Sequence, residues 1–132
     1  MQIEFGFLTT LATTKVREAS SHGRAAWKLL TELAYHSRVH GIFVVPAGFI
    51  TDFASVPRMP FAFWLAGDTA HASAVVHDYL VRTQYAQCRM SWAQCTEVFS
   101  EAMKDEGVPA WRRIIMAWAV AGADPANKWD DE

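Results

Sequence analysis

Alternation dominates the first third of the chain. Ile3, Phe5 and Phe7 alternate with Glu4 and Gly6, the period of a short strand with two unlike faces. Leu8 to Ser20 is rich in Thr and Ala without a clear period and is compatible with strand, loop or arm. Ser20-Ser21-His22-Gly23 marks a break. Trp27, Leu29, Thr31, Leu33 and Tyr35 recur at every second position and predict one strand over about 26–36. Ser37 to Gly41 reads as a turn. The β-branched and aromatic run Ile42-Phe43-Val44-Val45 reads as the returning strand of a hairpin. Pro46-Ala47-Gly48 ends that run, because proline has no N–H for the ladder. Phe49-Ile50-Thr51 resumes as a short strand, and residues 52–60 form a loop with two prolines.

The period then changes. Asp68 or Thr69 offers an N-cap, and a helix follows over 70–82. Its apolar residues fall nearly all round: Val75, Val76, Tyr79 and Leu80 on one face, Ala74 and Val81 almost opposite. Such a helix is buried, which makes it the central one. Ser91 with Gln94 fits a capping box. Trp92, Cys95, Phe99 and Met103 repeat behind it at helical spacing, and Gly107 closes the helix. Pro109 opens a third helix, whose Trp111, Ile114, Ile115 and Trp118 make an i, i+3, i+4, i+7 stripe. By pattern, Trp27, Trp92, Trp111 and Trp118 belong to the core. The fold class is α+β: an N-terminal antiparallel sheet with a hairpin, packed on three C-terminal helices. Residues 1–122 form one domain, and 123–132 are a polar, acidic tail.

Length and charge narrow the function. At 132 residues and 52% hydrophobic, the chain has room for one domain with a real core. A net charge of −2 leaves no electrostatic footprint for nucleic acid. No apolar run approaches the ~18 residues that span a bilayer, so no transmembrane segment is expected. The start, Met1-Gln2-Ile3-Glu4, has no signal-peptide character. The expected location is the cytoplasm in which the protein is made, or a particle packaged from it. Cys88 and Cys95 are the only cysteines; reduced thiols fit that compartment better than a disulfide. Six Trp, eight Phe and three Tyr suit either a core of large side chains or an interface. Trp64 and Trp129 are open to either role.

Two groups of polar residues stand among the apolar ones. His77 and Asp78 lie on the helix read as buried, where each must be satisfied by a partner. Adjacent helix positions point about 100° apart, so the two face different partners rather than each other. They serve either a structural network or a site. His71, seven residues before Asp78, shares its helix face, but two ligands do not make a metal site. The second group is the loop from Gly48 to Arg58, where Thr51, Asp52, Ser55 and Arg58 stand between apolar anchors. That loop can bind a partner, or Asp52 can close a turn on its own backbone. It leaves the sheet just before the chain enters the helices. Asp52 and His77 are therefore expected within about 6 Å of one another, the range of strong mutual perturbation. His22, His36 and His40 fall near turns and are expected to be exposed. Arg112 and Arg113 are expected to be solvated or packed along their stems. There is no phosphate loop, dinucleotide fingerprint or nucleophile elbow.

Taken in order, Val45-Pro46-Ala47-Gly48-Phe49-Ile50-Thr51-Asp52-Phe53-Ala54-Ser55-Val56-Pro57-Arg58, then His77-Asp78-Tyr79-Leu80, then Phe99 to Met103 and Gly107-Val108-Pro109-Ala110-Trp111-Arg112 resemble a family catalogued as domain of unknown function 1353, common in bacteriophage and prophage genomes. The likeness covers roughly 27–122. It implies a phage or prophage origin and carries no established activity with it. Two positions depart from the family pattern: Val81 stands where the family has Tyr, and Thr96 where it has Asp. The His-Asp helix is also similar, at motif level, to phospholipase A2, in which the His activates water and the following Asp holds calcium. Thr96 does not orient an imidazole as a carboxylate does, and no glycine-rich calcium loop is visible.

The expectation is a phage accessory protein acting by protein binding, as a tail-associated structural or assembly component. Its partners would be other phage proteins, Trp64 would take part in the contact, and no cofactor would be needed. The alternative is a small hydrolase of a cell-envelope or lipid-like substrate. There His77 would be the general base and Asp52 or Asp78 the orienter or the ligand of a divalent metal.

Overall fold

The computed structural model describes residues 3–18, 26–51 and 71–122. Asp52, Ser55, Arg58, Trp64, His22, Trp129 and the tail lie outside them, and with them the expected approach of Asp52 to His77.

Six strands and three helices occur among the described residues. The strands are β1 (Gly6–Phe7), β2 (Thr13–Arg17), β3 (Ala26–Leu29), β4 (Leu33–Ser37), β5 (Gly41–Val45) and β6 (Ile50–Thr51). The helices are α1 (His71–Leu80), α2 (Trp92–Asp105) and α3 (Ala110–Gly122), with a π-helical turn, Val81–Tyr85, directly after α1. The architecture is α+β. The strands form two antiparallel sheets of three rather than one, in the orders β1-β4-β5 and β2-β3-β6.

The long alternating segment is thus two strands in two sheets, not the single strand expected over 26–36. Each side of Leu30–Glu32 is captured by a different neighbour. Leu29 exchanges backbone hydrogen bonds with Phe49 and Gly48 at 2.9 and 2.8 Å. On the other side, the Ala34 N–H donates to Thr9 Oγ1 at 2.9 Å, and that hydroxyl donates to the Glu32 carbonyl at 3.1 Å. Alternation specifies which face is buried, and it survives a bend that changes sheet. The β4–β5 hairpin is as expected. Ser37 pairs with Gly41 across the Arg38–His40 loop, and Ser37 Oγ accepts from the N–H groups of Val39 and His40, fixing the turn. β2 occupies part of the Thr- and Ala-rich segment left undecided by its pattern.

α1 is the buried helix. Val75, Val76 and Leu80 are fully enclosed and meet Leu29, Leu33, Tyr35 and Val45 from the sheets and Cys95, Val98 and Ala102 from α2. Ser91 and Gln94 form the capping box at the start of α2. Gly107, at φ +92°, ends it with a pair of bonds, Val108 N–H to Met103 and Gly107 N–H to Lys104, the doubled closure that a left-handed glycine permits.

α3 differs from expectation. Its stripe faces outward: Trp118 is 79% exposed, Ile114 68%, Trp111 55% and Ile115 40%. Its buried residues are Arg112, Met116 and Val120, of which Met116 and Val120 pack with Trp92, Phe99, Met103 and Val108. Of the four tryptophans assigned to the core, Trp92 is buried, Trp27 half-buried, and Trp111 and Trp118 exposed. The i, i+4, i+8 face around Met116 is narrower in hydrophobicity, yet it is the one that joins the core. Arg112 is buried rather than solvated, and His36 and His40 are half-buried rather than exposed. Both cysteines are free thiols.

Candidate functional site

α1 carries an unusual density of buried polar groups: Ser73, His77 and Asp78, all at 2% exposure or less. Each has different neighbours: Ser73 and His77 lie one turn apart on one side of the helix, and Asp78 about 100° round from His77. Ser73 sits in the first turn, where helix N–H groups lack partners. Glu106 supplies the missing acceptor. Its carboxylate takes the N–H of Ala72 at 3.1 Å, the N–H of Ser73 at 3.0 Å and the Ser73 hydroxyl at 2.6 Å. A negative group at this helix end also meets the positive pole of the dipole.

Asp78 leans toward the sheet. Thr51 Oγ1 donates to Asp78 Oδ2 at 2.6 Å, and the Arg82 guanidinium, one turn on, reaches the same oxygen at 2.9 Å. Arg82 also donates to the Ile50 carbonyl at 2.7 Å and stacks over the Phe49 ring. One carboxylate and one guanidinium thus clamp β6 to α1. Thr51 and Asp78, both expected to belong to a site, are brought together. Arg82 completes the set and gives no motif signal in the sequence beyond its i+4 spacing.

His77 points the other way, into the helices. Its ring lies edge-on to Trp92, with centroids 5.5 Å apart, and 5.2 Å from Phe99. It is fully buried. Burial disfavours the imidazolium and pushes its pKa down from 6.5 to about 4, so the ring is neutral near pH 7. Val81 opens the π-helical turn, and the Thr96 hydroxyl donates back to the Trp92 carbonyl at 2.9 Å.

A second polar network joins the hairpin to α2, and no local pattern announces it. Tyr35 donates to Asp105 at 2.7 Å and Ser37 to Glu101 at 2.6 Å. Arg38 binds Glu101 through its backbone N–H and its guanidinium, and Asp105 through the same guanidinium at 3.0 Å. Burial and the neighbouring Asp105 raise the Tyr35 pKa. Burial alone would raise that of Glu101, but the bonds from Arg38 and Ser37 and the Arg38 charge outweigh it and hold the carboxyl below its ordinary range. His40 pairs with Glu97 at 3.0 Å. Beside these residues runs an open groove of about 620 Å³, walled also by Ser100, Lys104 and Arg113. A smaller hollow of about 130 Å³ lies between Leu11, Thr13, Trp27 and His71; His77 is part of neither wall. Among the described residues no three His, Cys, Asp or Glu side chains converge as metal ligands, and no helix is long and apolar enough to cross a membrane.

A model of the family described as "Protein of unknown function (DUF1353)" matches residues 27–120. The match takes in both sheets from β3 onward, the Thr51–Asp78–Arg82 clamp, His77 and nearly all of α3. It covers most of the chain, which therefore belongs to that family. No curated protein and no solved structure matches the chain significantly.

Proposed function

We propose that this member of the DUF1353 family acts by binding protein, as a phage or prophage accessory component in a particle or its assembly. The observation that carries the reading is the enclosure of His77. A general base works best with a pKa near the operating pH and within reach of its proton. This imidazole is walled by Trp92 and Phe99 and held near pKa 4. Asp78 bonds Thr51 and Arg82 and so helps hold β6 to α1. What the domain offers outward is an aromatic helix face, Trp111 to Trp118, of the residue types that dominate binding energy at interfaces. The phage setting rests on the sequence likeness described above.

The test is to follow the chain into particles. Purified virions or tails should contain it, and His77→Gln should be incorporated like the natural chain while Trp118→Ala is not. The reading fails if the purified protein turns over a lipid or envelope substrate and His77→Ala abolishes that turnover. In that case a hydrolase, with Asp52 or Asp78 orienting the base or holding a divalent metal, takes its place.

A further inference from the structure

We propose that the groove beside the tip of the β4–β5 hairpin is a second binding surface, which receives an extended acidic segment of a partner protein. It goes beyond the reading above: the groove is separate from the aromatic face of α3, and neither surface depends on the other.

Three elements line it. Glu97, Ser100, Glu101 and Lys104 recur at i, i+3, i+4 and i+7 and so share one stripe of α2. The hairpin loop contributes Arg38, Val39 and His40, and α3 contributes Arg113. Both carboxylates have partners. Glu101 accepts from Ser37 and from Arg38, whose guanidinium lies 3.2 Å away, and Glu97 bonds His40 at 3.0 Å. Two of the cations differ. Among the described residues, neither Lys104 nor Arg113 pairs with a carboxylate, and the Ser100 hydroxyl has no hydrogen-bond partner. Arg113 donates to the Val108 carbonyl at 2.8 Å, which holds its guanidinium in place and leaves its remaining N–H groups for a ligand. A hydroxyl and two cations without carboxylate partners recognise an anion. Glu97, whose side chain is 66% exposed, repels an anion at its own end. The ligand's charges therefore belong with Lys104 and Arg113.

Shape selects the class of anion. The groove is an open trough of about 620 Å³. From Glu97 to Lys104 the helix rises about 10 Å, the length of about three residues of extended chain. A single phosphate would touch one end of such a trough. An extended peptide presents every second side chain to it, so carboxylates two residues apart can meet Lys104 and Arg113. Val39, 76% exposed on the rim, gives an apolar side chain between them a surface to rest on. A nucleic acid fits less well, because a net charge of −2 supplies no long-range attraction for a phosphate backbone.

Fluorescence anisotropy of a dye-labelled peptide of alternating Asp and Val, titrated with the full chain, tests this. The chain should bind it, and should ignore a peptide with Lys in place of Asp. Binding should weaken about tenfold between about 25 and about 250 mM salt. Lys104→Glu should weaken it at least about tenfold, and Arg113→Gln should weaken it less. Glu97→Gln removes the opposing charge and should tighten binding about threefold, a gain that damage to the fold does not produce. Lys28→Glu makes the same charge change at an exposed position on β3 and should leave binding unchanged. Absence of peptide binding overturns the proposal, as does an equal loss in Lys28→Glu. So does inorganic phosphate or a single-stranded oligonucleotide that binds as tightly as the peptide. If the peptide binds only after Asp130, Asp131 and Glu132 are replaced by Asn, Asn and Gln, the groove's occupant is the chain's own tail and the partner is excluded. Entry into particles, and its loss in Trp118→Ala, is read separately, so the groove can fail while the aromatic face stands, or the reverse.

Discussion

Acid should destabilise this fold through one ring before it acts on the carboxylates. His77 binds a proton with pKa about 4 when folded and about 6.5 when unfolded. Between those values the unfolded chain holds more protons, so stability rises with pH through the window and is lost as pH falls through it. The full interval is worth about 3 kcal/mol, at about 1.4 kcal/mol per pH unit, and about 2 kcal/mol of it is gone by pH 5. Glu101, held below its ordinary value of 4.5, contributes stability that is present above that value and lost only below it. The decline from pH 7 to pH 5.5 therefore belongs to the imidazole. Urea unfolding at pH 7.5, 6.5, 5.5 and 5.0 reads it, with a constant m-value as the sign that the denatured state is unchanged. His77→Gln cannot titrate. Its stability at pH 7.5 will be lower, since the site is tightly packed, but its slope between pH 7 and 5.5 should be nearly flat. Equal slopes in both proteins would mean that His77 is protonated in the folded state, and the argument from its enclosure would fall with it.

Thr51→Val removes the hydroxyl that donates to the buried Asp78 carboxylate and should cost about 1–3 kcal/mol, read from the urea midpoint. Loss below 0.5 kcal/mol would show that the clamp on β6 does not need it. Glu106→Ala strips the first turn of α1 of three hydrogen bonds and should lower stability by about 1–2 kcal/mol and Tm by about 5 °C; Glu106→Gln should recover part of this. Burial pushes the Cys95 thiol up to about 11, whereas Cys88 is exposed. A disulfide reagent at pH 8 should thus titrate one thiol per native chain quickly and the second only on unfolding.

The sequence states some of this plainly and conceals the rest for definite reasons. The burial of α1, the capping box at Ser91 and the hairpin at Arg38–His40 follow from local pattern, because each depends on residues a few positions apart. The division of the alternating segment between two sheets does not, since period two encodes a face and is silent on which neighbour pairs with it. α3 misleads because its strongest stripe is not its core stripe: Met116 and Val120 share their face with a buried arginine, and a charge there dilutes the signal. Within the site, His77 and Asp78 stand out as polar residues on an apolar helix, and Thr51 as part of a polar loop. Glu106, Arg82 and the Tyr35–Asp105 and Ser37–Glu101 pairs are surface-type residues in ordinary positions. Their roles arise only when distant segments meet.

That last property has a consequence for the order of events in synthesis. Tyr35 and Ser37 find their acceptors 70 and 64 residues further along the chain. At about 5–20 residues per second, the ribosome takes several seconds after releasing the hairpin to deliver α2. Until then Tyr35, Leu33 and Val45 lack the Cys95, Val98 and Ala102 that complete their cover, and β1, β4 and β5 form a short three-stranded ribbon that only α1 can reach. The waiting time is set by translation and not by the chemistry of the contact. Slowing the ribosome between codons 45 and 105 would lengthen the exposure of that ribbon without altering a single atom of the finished protein. A synonymous change there should therefore reduce the yield of folded chain and leave its stability as it was.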